Sequence, residues 1–186
     1  MRLLAASLTA LAALALPGTA MAQSTTATAG PFPVTGNVPG LCSGGTLSNA
    51  NSSFALGVLI DTATGLRRTD LAAPPKILTG AFCTVRSNIS ISATALQSVN
   101  NVAAPGAGFS RTVHYTASAS GWTTTPATFA TGSASNPGSS QERSTAFQGD
   151  ISVGIGSFST GGGEGLRLVA DTAYQGIVTV TLAVAN

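Results

Sequence analysis

Charge is what this sequence has least of. Asp, Glu, Lys and Arg together make up 8% of its 186 residues, eight basic side chains against six acidic ones. Only Arg67 and Arg68 stand side by side among the basic residues. No basic stripe exists to neutralise phosphates, so nucleic acid is not an expected partner. Low net charge with abundant Thr, Ser, Ala and Gly is also unlike the highly charged signature of disorder. Histidine is reduced to His114 and cysteine to Cys42 and Cys83. Two cysteines and one distant histidine are a poor metal set, so no metal or cofactor is expected. Helical periodicity is missing too, because no segment beyond the start carries an apolar stripe of useful length.

The one long apolar stretch stands at the start. Met1-Arg2 is followed by apolar or small residues from Leu3 to Leu16, then Pro17-Gly18 and Ala20-Met21-Ala22. A positive start, an apolar centre and an A-x-A site predict a cleaved secretory signal over residues 1–22. The run is shorter than the twenty or so residues that cross a bilayer, and no positive cluster follows it. No stable membrane insertion is therefore expected. Gln23 to Pro31 is a polar leader, and residues 32–186 are expected to form one domain with a sizeable core. The destination implied lies outside the cytoplasm. In such a compartment Cys42 and Cys83 are expected to pair. The loop they close is worth on the order of 3 to 4 kcal/mol in the chain-entropy picture.

What the chain has instead is alternation of period two. Phe32, Val34 and Val38 suggest a first strand ending at Cys42, and Phe54 to Ile60 is a short apolar run suited to a buried strand. Ile77 to Val85 predicts another strand or strand pair. Ile89, Ile91 and Ala93 share one face, as do Val113, Tyr115 and Ala117. Thr131 to Arg143 is expected to be a polar loop. Phe147, Ile151, Val153 and Ile155 share a parity with a bend at Gly149. The clearest strand is the last, with Val178, Val180, Leu182 and Val184 on one face and Ile177, Thr179, Thr181 and Ala183 on the other. Many short β-runs separated by Gly, Pro and Asn turns, with no helices between, predict an all-β antiparallel sandwich.

His114 has no Gly-x-Ser-x-Gly elbow to accompany it. The acids, Asp61, Asp70, Glu142, Asp150, Glu164 and Asp171, are not spaced as a glycosidase pair, and Asp61 in Asp-Thr-Ala-Thr-Gly suits a turn cap. Gly161 to Gly163 lacks the Lys-Ser/Thr of a phosphate loop and is expected to be a turn. Asn51-Ser-Ser53 and Asn88-Ile-Ser90 match the short glycosylation pattern by chance. The chain is therefore not expected to be an enzyme. Trp122, Tyr115 and Tyr174 carry two alternatives: core packing, or an exposed platform for a sugar or other surface ligand.

Phe32-Pro-Val-Thr-Gly-Asn-Val38 precedes Cys42, and Cys83 follows about forty residues later. This arrangement resembles the opening of mature chaperone–usher pilins. The ending Thr172-Ala-Tyr-Gln-Gly-Ile-Val-Thr-Val-Thr-Leu182 is similar to the closing strand of their spore coat protein U-like branch. The resemblance implies an immunoglobulin-like sandwich that lacks one strand. It also implies a fimbrial subunit with a role in cell adhesion, whose partners are a periplasmic chaperone, an outer-membrane usher and like subunits. The open groove would be lined by Val178, Val180, Leu182 and Val184 beside the final strand, and the leader, residues 23–31, would be the donor of the next subunit. Against that pattern, the leader offers mainly Thr, Ala and Ser, and Pro31 and Pro33 interrupt a ladder. A self-complete monomeric binding module is the alternative reading.

Overall fold

The structure, a computed structural model, describes residues 30–48 and 52–185. The expected signal at residues 1–22, most of the leader, and Asn51 lie outside the described residues. The chain divides into two units at Asn37 and Val38. In the first, residues 30–37 form no regular element and are exposed.

The second unit is built from short strands. In chain order they are β1 (Cys42–Ser43), β2 (Thr46–Leu47), β3 (Lys76–Cys83), β4 (Ser87–Ala93), β5 (Leu96–Ser98), β6 (Phe109–Ser110) and β7 (Thr112–Ser120). Then come β8 (Ala127–Ala130), β9 (Ser140–Arg143), β10 (Phe147–Thr160), β11 (Arg167–Leu168), β12 (Tyr174–Gln175) and β13 (Val178–Val184). One short 3-10 turn, Pro137–Ser139, precedes β9. The larger sheet runs β1-β3-β10-β7-β5-β12, with β2 also on β3 and β8 also on β7. The smaller sheet runs β13-β4-β9. Both are antiparallel, and a two-residue parallel pair joins β6 to β11. Among the described residues no helix is long and apolar enough to cross a membrane.

The alternation seen in the sequence puts one face of each sheet into a shared core. Ala81 and Cys83 of β3, Tyr115, Ala117 and Ala119 of β7, and Ile151 and Val153 of β10 meet Ile89 and Ile91 of β4 there. The two sheets thus pack face to face as an all-β sandwich. The expected bend at Gly149 is a register shift between Gly149 and Ile151, after which the pairing with β3 resumes as far as Val153, and such a bulge adds local twist within the β3–β10 pair. Cys42 and Cys83 form a disulfide that joins β1 to β3 as directly opposed residues.

Trp122 anchors the core from the turn after β7. It is fully buried, its Nε1 donates to Ser87 Oγ at 3.3 Å, and it meets Phe147 edge-on at 5.2 Å. The Arg143 guanidinium lies 3.5 Å above the Phe147 ring and donates to the Trp122 carbonyl at 2.7 Å. A buried ring with its N–H satisfied is a packing residue. Trp122 is therefore corrected from a ligand-contact candidate to a core residue.

Three strand expectations also need correction. Phe32 to Leu41 is irregular, and Phe32, Val34 and Val38 are exposed. Residues 54–59 form no regular element, with Gly57 at a positive φ of 68°, and Ile60 makes only a single bridge to Arg67. The polar segment 131–143 is not all loop, because β9 closes it against β4. In each case apolar content or its absence misled. A strand is made by a neighbour with free backbone groups, which composition does not report.

Candidate functional site

The feature that stands apart is the outer edge of β13. Its register with β4 is continuous from Val178 opposite Ala93 to Val184 opposite Ser87. Just beyond either end, Thr94 N donates to the Ile177 carbonyl and Ala185 N to the Arg86 carbonyl. Hydrogen-bonded pairs alternate along an antiparallel ladder. Thr179, Thr181 and Ala183 therefore aim their backbone groups at β4. Val178, Val180, Leu182 and Val184 aim theirs away from it. Among the described residues no strand pairs with that outer edge.

Side chains on the same four residues follow from the same parity. Val178, Val180 and Leu182 are half-buried and pack on the core, opposite Ala93, Ile91 and Ile89. These are the closer, non-hydrogen-bonded pairs, where opposing side chains touch most. Val184 is exposed. The residues that face the core are thus the ones whose backbone is left open, and an added strand would both pair with them and cover them.

Apolar surface extends past both ends of the edge. At the Val184 end, Leu41 and Val85 are exposed as well. Gly40 sits against them: a Cβ there would lie 3.0 Å from Val85 and 3.5 Å from Val184. Leu41 is held in place by Thr84, whose Oγ1 accepts from Leu41 N and whose N donates to the Leu41 carbonyl. At the Ile177 end lies a cleft of about 540 Å³, lined by Phe54, Leu96, Tyr115, Ile155, Tyr174 and Ile177 among others. A neighbouring cleft of about 640 Å³ shares Phe54, Leu96 and Tyr174 and reaches Leu168. The contributions of Gly40, Leu41 and Val85 were missed in the sequence, although Leu41 adjoins Cys42 and Val85 lies two residues past Cys83.

The remaining aromatics do not form a platform with Trp122. Tyr115 is buried, with its Oη 3.4 Å from the Ile177 carbonyl, and is corrected to a residue that floors the cleft. Tyr174 is half-buried, and its Oη donates to the Val169 carbonyl at 2.8 Å. Burial raises the pKa of both phenols, so both stay protonated donors.

Each of the six carboxylates has a structural partner. Asp61 Oδ1 caps its turn by accepting from Ala63 N and Thr64 N, as its sequence context implied. Asp70 pairs with Arg68, Glu142 with Arg86 and Glu164 with Arg67. Asp150 accepts from Gly80 N at 2.9 Å. Asp171 accepts from Ser98 Oγ at 2.6 Å, from Asn100 N and Nδ2, from Asn101 N and from Ala173 N. These donors, Ser98 first, hold its carboxyl well below the usual carboxylate range. The side chain clamps the turn after β5 to the turn before β12. His114 is half-buried on β7, with Nδ1 3.4 Å from Thr131 Oγ1. Among the described residues no three His, Cys, Asp or Glu side chains gather as a metal set.

Comparison with protein-family models, with curated proteins and with solved structures returns no match to this chain.

Proposed function

We propose that this chain is an exported, non-catalytic structural subunit of a surface fibre. On this reading it is a pilin-like, immunoglobulin-like sandwich short of one strand and completed by β-strand addition at β13. The observation that carries the reading is the outer edge of β13, where open backbone groups and half-buried Val178, Val180 and Leu182 coincide. Strand addition draws affinity from main-chain hydrogen bonds and register from alternate side chains entering the sheet interface. An unpaired edge of this kind is otherwise a liability that folded proteins blunt or cover. Its occupants would be, in turn, a periplasmic chaperone, an outer-membrane usher and like subunits. Engagement of every carboxylate in a turn, ion pair or loop clamp supports a non-catalytic role.

The test uses material sheared from the surface of producing cells and run on a denaturing gel with and without boiling. A ladder that survives cold detergent and collapses on heating to about 16 kDa, the mass of the chain after signal removal, is expected for strand-paired polymers that dissociate slowly. A monomer band in both lanes would instead favour the self-complete binding module. That second reading now rests on Tyr174 and the apolar clefts beside it, since Trp122 and Tyr115 are buried.

A further inference from the structure

Lys76 is the one lysine in the sequence, and it is placed unlike any other cation among the described residues. It opens β3 directly opposite Val153 of β10. Opposed residues of an antiparallel pair turn their side chains to the same face, and Val153 belongs to the core. Leu78, two residues on, shares that parity and packs against the same core. The lysine stem therefore enters the space between the sheets, where a charge is costly unless it is matched. Its ammonium stands 5.8 Å from the centre of the Phe54 ring. A ring face at that range attracts a cation yet leaves its three N–H donors without an oxygen.

The described arginines all have an oxygen partner. Arg67, Arg68 and Arg86 pair with carboxylates. Arg111, Arg143 and Arg167 donate to backbone carbonyls. Among the described residues Lys76 has neither kind of acceptor. It is not the guard of an open edge either, since β3 runs between β2 and β10. An inward cation without an acceptor favours an anion beside it.

The ring under that ammonium belongs to the wall shared by the two apolar clefts. Phe54, Leu56, Leu96 and Tyr174 line both, so an occupant of one continues into the other. Their volumes of about 540 and 640 Å³ fall within the roughly 300–1,000 Å³ of small-molecule sites. Polar groups in the walls are largely engaged. Tyr115 Oη and Tyr174 Oη donate to backbone carbonyls, and Thr94 Oγ1 accepts from Ile177 N. Asp171 already holds the donors of its turn. No basic side chain lines either cleft, so the ammonium beside Phe54 sets the charge preference.

We propose that the paired clefts bind an anionic amphiphile of the fatty-acid class, with its carboxylate held by Lys76 and its hydrocarbon tail against Phe54, Leu56, Leu96 and Tyr174. The carboxylate supplies the acceptor that the ammonium lacks, through a charge-assisted hydrogen bond. The flexible four-carbon stem lets the ammonium meet the head group while its methylenes stay on apolar surface. The tail displaces water from walls whose polar atoms are already paired. A cationic amphiphile would meet Lys76 as a like charge, and a sugar would find few free polar partners. The site stands on the clefts and the lysine rather than on the open edge of β13, so it holds for an assembled subunit and for a monomer alike.

The exported chain is titrated calorimetrically with decanoate, decanol and decyltrimethylammonium, alongside Lys76→Met and Lys76→Arg. Decanoate is expected to bind about tenfold tighter than decanol, the size of one hydrogen bond to a charged group. Lys76→Met should erase that preference with decanol binding unchanged, and Lys76→Arg should keep most of it. Octanoate should bind about fourfold more weakly than decanoate for each methylene lost. The single lysine gives a readout that needs no substitution: decanoate, but not decanol, should slow acetylation of Lys76 by acetic anhydride, followed by peptide mass. Equal affinity for decanoate and decanol would overturn the anchor, as would a decanoate preference that persists in Lys76→Met. Tighter binding of decyltrimethylammonium would overturn the sign of the site. Absence of binding by all three, with Lys76 acetylated at the same rate throughout, would overturn the site itself. Each of these outcomes leaves the gel ladder, and with it the strand-addition reading, untouched.

Discussion

Strands β7 and β13 carry the same kind of sequence and meet different fates. Both alternate strictly, Val113-x-Tyr115-x-Ala117-x-Ala119 in one and Val178-x-Val180-x-Leu182-x-Val184 in the other. In β7 all four inward residues are buried; in β13 three are half-buried and the fourth is exposed. The inward set of β13 is the more uniformly apolar, so side-chain character does not explain the difference. Neighbours do. β7 has β10 on one edge and β5 with β8 on the other, whereas among the described residues β13 pairs with β4 alone. Burial on a sheet depends on strands to either side as much as on the layer beneath. The edge of β13 is thus a place where sequence quality exceeds the structure built on it, which is the physical reason to look for a missing partner there.

The comparison predicts that damage at the paired centre is felt by the monomer and damage at the open edge by the assembly. The largest monomer effect is expected at Trp122, which contacts Phe147 and Ser87 where β7 turns away. Trp122→Ala should cost about 3–5 kcal/mol by chemical denaturation, since a large buried ring leaves a cavity that neighbours fill only in part. A loss under about 1 kcal/mol, the range of surface changes, would mean that the ring is not the anchor described. Next is the disulfide, which closes a 41-residue separation. Cys42→Ser with Cys83→Ser should lower stability by about 3–4 kcal/mol in the same assay.

Val180→Asp sharpens the contrast because it falls on the edge. In the monomer Val180 is half-buried, so the carboxylate can reach water and the folding cost should be about 1–2 kcal/mol, well below that of a fully buried charge. In the assembly the added strand would bury it, so the heat-sensitive ladder should be lost. A variant that melts near the unsubstituted chain yet leaves only monomer is the expected pattern. Normal levels of assembled Val180→Asp protein would sink the assignment of this edge.

How much of this was legible in the sequence differs between the two regions. β4, β7, β10 and β13 were all evident from period two, because each packs one face on the core and parity survives any choice of neighbour. The disulfide followed from compartment and count. The segments at 32–38 and 54–60 were overread, because apolar alternation marks a surface that could be buried without saying what buries it. β9 was underread for the complementary reason: Ser140-Gln-Glu-Arg143 has no apolar face and is a strand only because β4 offers it an edge. Trp122 suits core and surface equally by residue type, since the same ring serves either role until its exposure is known.

The smallest effect belongs to Asp171, in the turn before β12. Its folded pKa lies below the ordinary carboxylate value of 3.8 because Ser98 Oγ and the amides of Asn101 and Ala173 donate to the charged form. A depressed pKa contributes stability that is complete above the unfolded value and is lost as pH falls through the folded one. The gap between the chain and its Asp171→Asn variant should therefore be constant from pH 7 to about 5 and narrow below pH 4. Because the group is solvent-exposed, the shift should appear less in the melting temperature than locally. Faster amide exchange at Asn100, Asn101 and Ala173 in the variant, with β7 and β10 unchanged, is the expected readout. If exchange in the central strands rose equally, the clamp would be part of the cooperative core, and the division between a saturated centre and an adjustable rim would fail.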